Sequence, residues 1–205
     1  MKVAVVGGTG DFGLALAQQL VAAGVEVVIG SRDAARAEEK AADVGARGAA
    51  NEDAVRGVDL VVLATKADAA LATAESLAAA IGTTPVLSVA SELRFTKEGV
   101  FPTDADRSVA ERMAAVLDAP VAAGLHSLAA STLAGGRAEG DAFVCGDDPA
   151  AKELALELAS QVVTGHALDA GPLASARALE GMTAVIVNLN RRYKGHAGVR
   201  VTGLP

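Results

Sequence analysis

A run of glycines directly after a short apolar stretch is the feature that most constrains the fold of this chain. Residues 3–6 read VAVV with no polar alternation, which is typical of a strand buried on both faces. Four glycines follow at once: Gly7, Gly8, Gly10 and Gly13. The apolar positions after them have helical spacing as far as Gly24. The order of strand, glycine loop and helix therefore predicts the first half of a β–α–β unit.

Residues 8–13 form a G-x-G-x-x-G motif in the position that a dinucleotide-binding loop requires. In such a loop the first glycine permits a tight turn and the second lets the backbone approach a pyrophosphate. The third glycine lets the helix pack closely on the strand. The phosphates then meet free backbone N–H groups at the positive end of the helix. We therefore expect a dinucleotide to bind here.

The end of the second predicted strand indicates which dinucleotide binds. NAD enzymes usually place an acidic residue there, which accepts hydrogen bonds from the ribose 2′-hydroxyl. The strand at 25–30 runs instead into Ser31 and Arg32, and Arg36 follows one helical turn later. A hydroxyl and two guanidinium groups suit a 2′-phosphate, so NADP is favoured over NAD. We expect the nearby Asp33 to cap the next helix.

Strands and helices alternate along the first two thirds of the chain. Further strands are predicted at 47–50, 58–64, 85–89 and 120–123, and further helices at 34–43, 68–80 and 108–117. Asn51 is interpreted as a helix N-cap, and residues 91–106 as a polar loop. The alternation predicts an α/β fold of the Rossmann type, a doubly wound parallel sheet.

The last third is interpreted as a small C-terminal α/β extension. A strand at 143–145 is followed by a helix at 150–162 and by a long apolar helix at 173–189. We divide the chain into an NADP-binding Rossmann domain, 1–140, and a strand–helix extension, 141–205, that completes the substrate cleft. The apolar stripe of the last helix is wide enough to contact a second copy of the chain, so a homodimer is expected.

Composition excludes several classes of protein. With 205 residues and a hydrophobic content of 51%, the chain can bury a core, so wholesale disorder is excluded. A net charge of -7 and an aromatic content of 2% argue against nucleic acid as a partner. No apolar run reaches the ~20 residues of a membrane span, so no membrane partner is expected. The single cysteine, Cys145, excludes an internal disulfide and a thiolate metal cluster, and it suits the cytoplasm.

The sequence shows no catalytic motif, so we predict neither a catalytic residue nor a metal site. A Tyr-x-x-x-Lys pair and a Gly-x-Ser-x-Gly elbow are both absent. Hydride transfer needs proximity and orientation more than an acid or base. His126 follows a predicted strand, which places it either in a substrate cleft or in a structural hydrogen bond. Beyond Glu180 every charged residue is basic, which suits either an anionic substrate or the helix dipole.

Taken together, these motifs resemble the NADPH-dependent reductases of the deazaflavin coenzyme F420. The resemblance is carried by VVGGTGDFG at 5–13 and GSR at 30–32, and by the more specific strings VCGDD at 144–148 and DAGPL at 169–173. It covers nearly the whole chain. It implies an oxidoreductase that exchanges a hydride directly between the nicotinamide C4 and the deazaflavin C5, in a homodimer and without a metal.

The resemblance also implies which residues bind each part of the ligands. The pyrophosphate would be held by Gly8, Thr9, Gly10, Asp11 and Phe12. The 2′-phosphate would be held by Ser31, Arg32 and Arg36, and the nicotinamide side would be lined by Leu71 and Ala130. The deazaflavin would be bordered by His126, Ala197 and Gly198.

Two stretches depart from the family pattern, and both are expected to border the cleft. Lys66 and Ala67 stand where the family carries a proline and an aromatic residue, and residues 88–92 stand where it carries a proline-rich turn. An atypical short-chain reductase acting on flavins or quinones also fits the glycine loop, and so does a non-catalytic NADP-sensing module. The DAGPL string argues against the non-catalytic module and fits the deazaflavin reductases better.

Overall fold

The computed structural model describes residues 1–204 and shows helices on both faces of one large sheet. The strands are β1 (Lys2–Val6), β2 (Glu26–Ser31), β3 (Arg47–Ala50), β4 (Leu60–Leu63), β5 (Val86–Ser88), β6 (Leu93–Phe95), β7 (Val100–Pro102), β8 (Val121–Gly124), β9 (Ala142–Gly146) and β10 (Ala167–Asp169). The α-helices are α1 (Asp11–Ala22), α2 (Ala34–Val44), α3 (Asn51–Ala54), α4 (Ala67–Ile81), α5 (Val109–Ala114), α6 (Ala130–Gly135), α7 (Pro149–Val162) and α8 (Ala176–Tyr193).

The large sheet has the strand order β10-β9-β8-β5-β4-β1-β2-β3. Strand β1 lies between β2 and β4 and is parallel to both, and the parallel pairing continues through β5 to β8. Strand β9 then runs antiparallel to β8, and β10 is parallel to β9. The predicted Rossmann-type fold is confirmed. The segment after residue 141 adds β9 and β10 to the same sheet.

Helices cover both faces of the sheet, which explains why its central strands are uniformly apolar. Successive residues of β1 point to opposite faces, so Val3 and Val5 pack in one core cluster, and Ala4 and Val6 pack in the other. Helices α1, α2 and α7 contribute to the first cluster, and α4, α5 and α8 contribute to the second. The glycine loop at the end of β1 is therefore held between two packed layers.

Side-chain caps explain where two of the helices begin. Asp33 caps α2 as predicted, because its Oδ1 accepts a 3.2 Å hydrogen bond from the Arg36 N–H. Asp148 caps α7 in the same way, with the Ala151 N–H at 2.8 Å, and the first residue of that helix is a proline. Both helices thus begin where the local sequence provides an oxygen for the free backbone donors.

Two local predictions are wrong, and helix α6 was missed. Ala50, not Asn51, occupies the N-cap position of α3, and Asn51 is already helical with its Oδ1 packed over Gly30. The predicted polar loop at 91–106 contains the antiparallel hairpin β6–β7. This hairpin depends on a distant partner, since the Asn188 side chain hydrogen-bonds both backbone polar groups of Val100. Helix α6 was not predicted, because its six residues are too few to show a helical period.

Candidate active site

The glycine loop that joins β1 to α1 has no space for a side chain at Gly8 or Gly13. A Cβ on Gly13 would lie 2.6 Å from the Gly7 carbonyl oxygen, and one on Gly8 would lie 2.8 Å from the Val5 carbonyl oxygen. Gly7 has a φ of 80°, in the left-handed region that glycine adopts without strain. Helix α1 therefore begins directly against β1, and a ligand can approach the backbone of the loop.

The N-terminus of α1 has no side-chain cap. Gly10 occupies the N-cap position, and the first intrahelical hydrogen bond runs from the Leu14 N–H to the Gly10 carbonyl at 2.8 Å. The N–H groups of Asp11, Phe12 and Gly13 therefore have no partner within the helix. These free donors at the positive end of the helix are suited to a pyrophosphate.

The residues predicted to bind the 2′-phosphate lie at the carboxyl end of β2 and in the first turn of α2. Arg32 and Arg36 are exposed. Ser31 Oγ accepts a 3.2 Å hydrogen bond from the Asp33 N–H, so the hydrogen of its hydroxyl stays available to a ligand. The Asp33 carboxylate is engaged in capping α2. The site therefore offers two cations and one neutral donor, a combination that suits an anion.

A cleft of about 760 Å³ extends from the glycine loop along the carboxyl ends of β4, β5 and β8 to α8. The turn after β4 lines it with residues 64–68, and the turn after β5 lines it with residues 89–93. Helix α8 contributes Thr183 and Val187. Both stretches that depart from the family pattern thus border the cleft, as expected. The cleft lies where the strand order reverses between β1 and β4, the usual ligand position in open α/β sheets.

His126 lies in this cleft and is only 4% exposed. It follows Leu125, whose φ of 64° turns the chain after β8. Its Nε2 lies 3.3 Å from the Ala90 carbonyl oxygen, and its Nδ1 has no partner among residues 1–204. Burial lowers the pKa of His126 to about 4, despite the Ala90 hydrogen bond. The imidazole is therefore neutral near neutral pH.

Helix α8 is joined to the surrounding turns by polar contacts. Thr183 Oγ1 donates a 2.8 Å hydrogen bond to the His126 carbonyl and lies 2.8 Å from Ser91 Oγ. Glu180, one helical turn earlier, is buried and accepts a 2.6 Å hydrogen bond from the Val109 N–H. The contacts of Thr183 hold the turns after β5 and β8 against the helix, and the contact of Glu180 holds the start of α5.

The structure brings only some of the predicted ligand-binding residues into the cleft. The predicted residues that line it are Gly10, Asp11, Phe12, His126 and Ala130. Gly8 and Thr9 lie in the same glycine loop, outside the lining, and Leu71 lies on α4, also outside it. Ala197 lines a separate hollow of about 320 Å³ beside the end of α8, and Gly198 packs on the Glu139 carbonyl. The binding roles of all these residues stay predictions.

Sequence reasoning missed three uncharged polar residues that line the cleft: Thr65, Ser91 and Thr183. Thr65 Oγ1 is buried and has no hydrogen-bond partner among residues 1–204. The available signal for Thr183 is its position as a polar residue within the apolar last helix. Ser91 lies in a stretch already noted as a departure from the family, but nothing local distinguishes it from its neighbours.

Three further observations concern the described part of the chain. Residues 1–204 contain no group of three or more His, Cys, Asp or Glu side chains that could hold a metal ion. Cys145 is buried in β9, where burial raises the pKa of its thiol to about 11. Among the same residues, no helix combines the length and the apolar content needed to cross a membrane.

Comparison with known proteins identifies relatives of this chain. The profile of a family described as "NADP oxidoreductase coenzyme F420-dependent" matches residues 2–92. The F420-dependent NADP reductase of Methanothermobacter marburgensis is 36% identical over 229 residues, which cover 100% of both chains. The enzyme of the same name from Methanocaldococcus jannaschii is 33% identical and covers 100% of this chain and 99% of its own.

Two solved structures are also similar to this chain. The crystal structure of a candidate F420-dependent NADP reductase from Arthrobacter sp. FB24 matches with a TM-score of 0.84 and 26% identity, over 100% of both chains. A protein of Sinorhizobium meliloti matches with a TM-score of 0.71 and 23% identity, over 86% of this chain and 87% of its own. The second likeness shows the fold alone.

Proposed function

The chain belongs to the family of F420-dependent NADP reductases, and we propose that it transfers a hydride between NADP(H) and the deazaflavin coenzyme F420. The observation that carries this proposal is the cleft itself, which runs without interruption from Gly10 and Phe12 to His126 and Thr183. A dinucleotide seated on the glycine loop would extend its nicotinamide into this cleft, where a second ring can stack on it.

The residues of the glycine loop would bind and orient the NADP. The free N–H groups at the start of α1 would face the pyrophosphate, and the glycines would allow it to approach the backbone. Arg32 and Arg36 would bind the 2′-phosphate, together with the free hydroxyl hydrogen of Ser31. The chemistry that NADP(H) supplies when bound is a hydride at the nicotinamide C4.

The cleft contributes alignment rather than acid–base chemistry in this proposal. His126 is neutral, and its Nε2 is engaged with the Ala90 carbonyl, so it is not poised to donate a proton. Val187 and Leu128 add apolar surface on which rings can pack. A direct hydride transfer needs two rings held face to face at short distance, and this is what an apolar cleft with a few polar anchors provides.

We also propose that two copies associate through α8. Val185, Leu189 and Tyr193 are spaced four residues apart and therefore lie on one face of the helix, where they are 58%, 41% and 72% exposed. Three large exposed apolar side chains in one stripe favour a self-complementary interface. The cytoplasm remains the proposed compartment, because the one cysteine is free and buried.

The test is a spectrophotometric assay in which the purified protein receives NADPH with either oxidised F420 or FMN. We expect NADPH-dependent loss of the F420 absorbance and little reaction with FMN. Gly13→Ala should abolish the reaction, because its Cβ would lie 2.6 Å from the Gly7 carbonyl oxygen. Gly135→Ala is the matched control, since a Cβ there meets nothing within 4 Å. A protein that reduces only FMN would contradict the proposal.

A further inference from the structure

The hydroxyl groups of Ser91 and Thr183 form a hydrogen-bond chain with only one possible direction. Thr183 Oγ1 donates its single hydrogen to the His126 carbonyl oxygen at 2.8 Å, because a carbonyl can only accept. The contact of 2.8 Å between Thr183 Oγ1 and Ser91 Oγ must then use the hydrogen of Ser91. Ser91 Oγ is left with lone pairs and no hydrogen for any other partner.

The His126 side chain also presents a hydrogen-bond acceptor, and no donor, to the same cleft. The Ala90 carbonyl lies 3.3 Å from its Nε2 and can only accept, so Nε2 carries the hydrogen of the neutral ring. Its Nδ1 is then an acceptor, and it is buried without a partner among residues 1–204. Both Ser91 and His126 line the cleft. Two acceptors therefore lie at one site, and neither has a hydrogen to donate.

We propose that Ser91 determines specificity by accepting a hydrogen bond from a ligand N–H, and that Thr183 is the positioning residue that sets this polarity. Ser91 Oγ is partly buried and can only accept, so it disfavours a ligand that presents only carbonyl oxygens or a methylated nitrogen at this point. This inference rests on the proposed function. Two groups in that reaction carry such an N–H: the imide of the pyrimidinedione ring of F420, and the carboxamide of the nicotinamide.

The test measures equilibrium binding of NADP⁺ and of oxidised F420 separately, so that it needs no turnover. We expect Ser91→Ala to weaken one of the two ligands by roughly three- to tenfold, the usual effect of one neutral hydrogen bond. Thr183→Val should weaken the same ligand, although it leaves Ser91 in place, because the Ser91 hydroxyl then loses the acceptor that fixes its hydrogen and keeps its lone pairs turned toward the ligand. Thr183→Ser keeps the hydroxyl and should restore binding.

The choice of ligand distinguishes the two sources of the N–H. A loss confined to F420 identifies the imide, and a loss confined to NADP⁺ identifies the carboxamide. Ser76→Ala is the control, because Ser76 Oγ bonds the Thr73 carbonyl on the exposed side of α4, away from the cleft. Unchanged binding of both ligands in Ser91→Ala and Thr183→Val overturns the proposal, and so does a Thr183→Ser variant as weak as Thr183→Val. Failure of the wild-type protein to reduce F420 contradicts only the proposed function. The NADP⁺ titration of the variants then still tests whether Ser91 accepts a hydrogen bond from the ligand.

Discussion

The carboxylate of Glu180 on α8 accepts a 2.6 Å hydrogen bond from the backbone N–H of Val109, the first residue of α5. The side chain is 1% exposed, and its other oxygen lies 3.5 Å from the Glu92 N–H at the cleft. Burial raises the pKa of Glu180 to about 7, although both N–H groups and the nearby cations Arg177 and Arg112 act in the opposite direction. A buried carboxyl group thus changes charge near neutral pH.

This shift makes folding stability depend on pH with a definite sign. A folded-state pKa above the ordinary 4.5 means that the folded protein holds a proton that the unfolded chain has released. The contribution of Glu180 to the free energy of unfolding is fully present below pH 4.5 and is lost as the pH rises through about 7. Glu180→Gln should remove this loss. Urea denaturation between pH 4 and pH 8 measures it, and an unchanged pH dependence in Glu180→Gln would contradict the assignment.

His126 should make folding stability depend on pH with the opposite sign. Its pKa falls from 6.5 to about 4 on folding, so the folded protein lacks a proton that the unfolded chain binds between these values. The contribution of His126 to the free energy of unfolding is present above pH 6.5 and is lost as the pH falls through about 4. In the same denaturation series, His126→Asn should remove this loss. Because the windows of His126 and Glu180 overlap, the wild-type protein should show a flatter profile than either variant.

Replacement of Arg32 tests the choice of dinucleotide. Only NADPH carries a 2′-phosphate, so Arg32→Ala should weaken NADPH by about ten- to hundredfold, the cost of one charge-assisted hydrogen bond, and leave NADH nearly unchanged. Fluorescence titration with each nucleotide measures the two dissociation constants. Arg47 is exposed at the start of β3, and Arg47→Ala is the control for a lost surface cation. Equal losses for the two nucleotides would show that Arg32 does not bind the 2′-phosphate.

Replacement of an exposed residue on α8 tests the proposed dimer. Val185 is 58% exposed in the single chain, so Val185→Glu should not disturb the core but should place a charge in an apolar interface. We expect light scattering at micromolar concentration to show a dimer for the wild-type protein and a monomer for the variant. Val116 is 38% exposed next to α5, and Val116→Glu should remain dimeric. A monomeric wild-type protein would contradict the proposed dimer.

Local sequence determined the parts of the site that are built from neighbouring residues. The glycine spacing predicted the loop between β1 and α1, and the position of Asp33 one residue beyond Arg32 predicted its role as a cap. The predicted family and the Rossmann-type fold are confirmed. The division at residue 140, the ligand contacts and the homodimer stay predictions.

The missed parts of the site depend on contacts between distant residues. Ser91 and Thr183 meet across 92 positions of sequence, and Asn188 reaches Val100 across 88. The polarity of Ser91 follows from two hydrogen bonds that no local pattern encodes. A window of a dozen residues cannot show such pairs, because tertiary packing brings them together.

The exposed end of α8 has a spectroscopic consequence. The chain has no tryptophan, and its one tyrosine, Tyr193, is 72% exposed on the stripe where a second copy is proposed to pack. The protein's tyrosine emission therefore comes from a single known position, and quenching by a water-soluble quencher would report directly on whether that position is covered. The longer-wavelength emission of a reduced nicotinamide or of a deazaflavin can be recorded without an indole background, so assembly and ligand binding can be followed in one sample without adding a label.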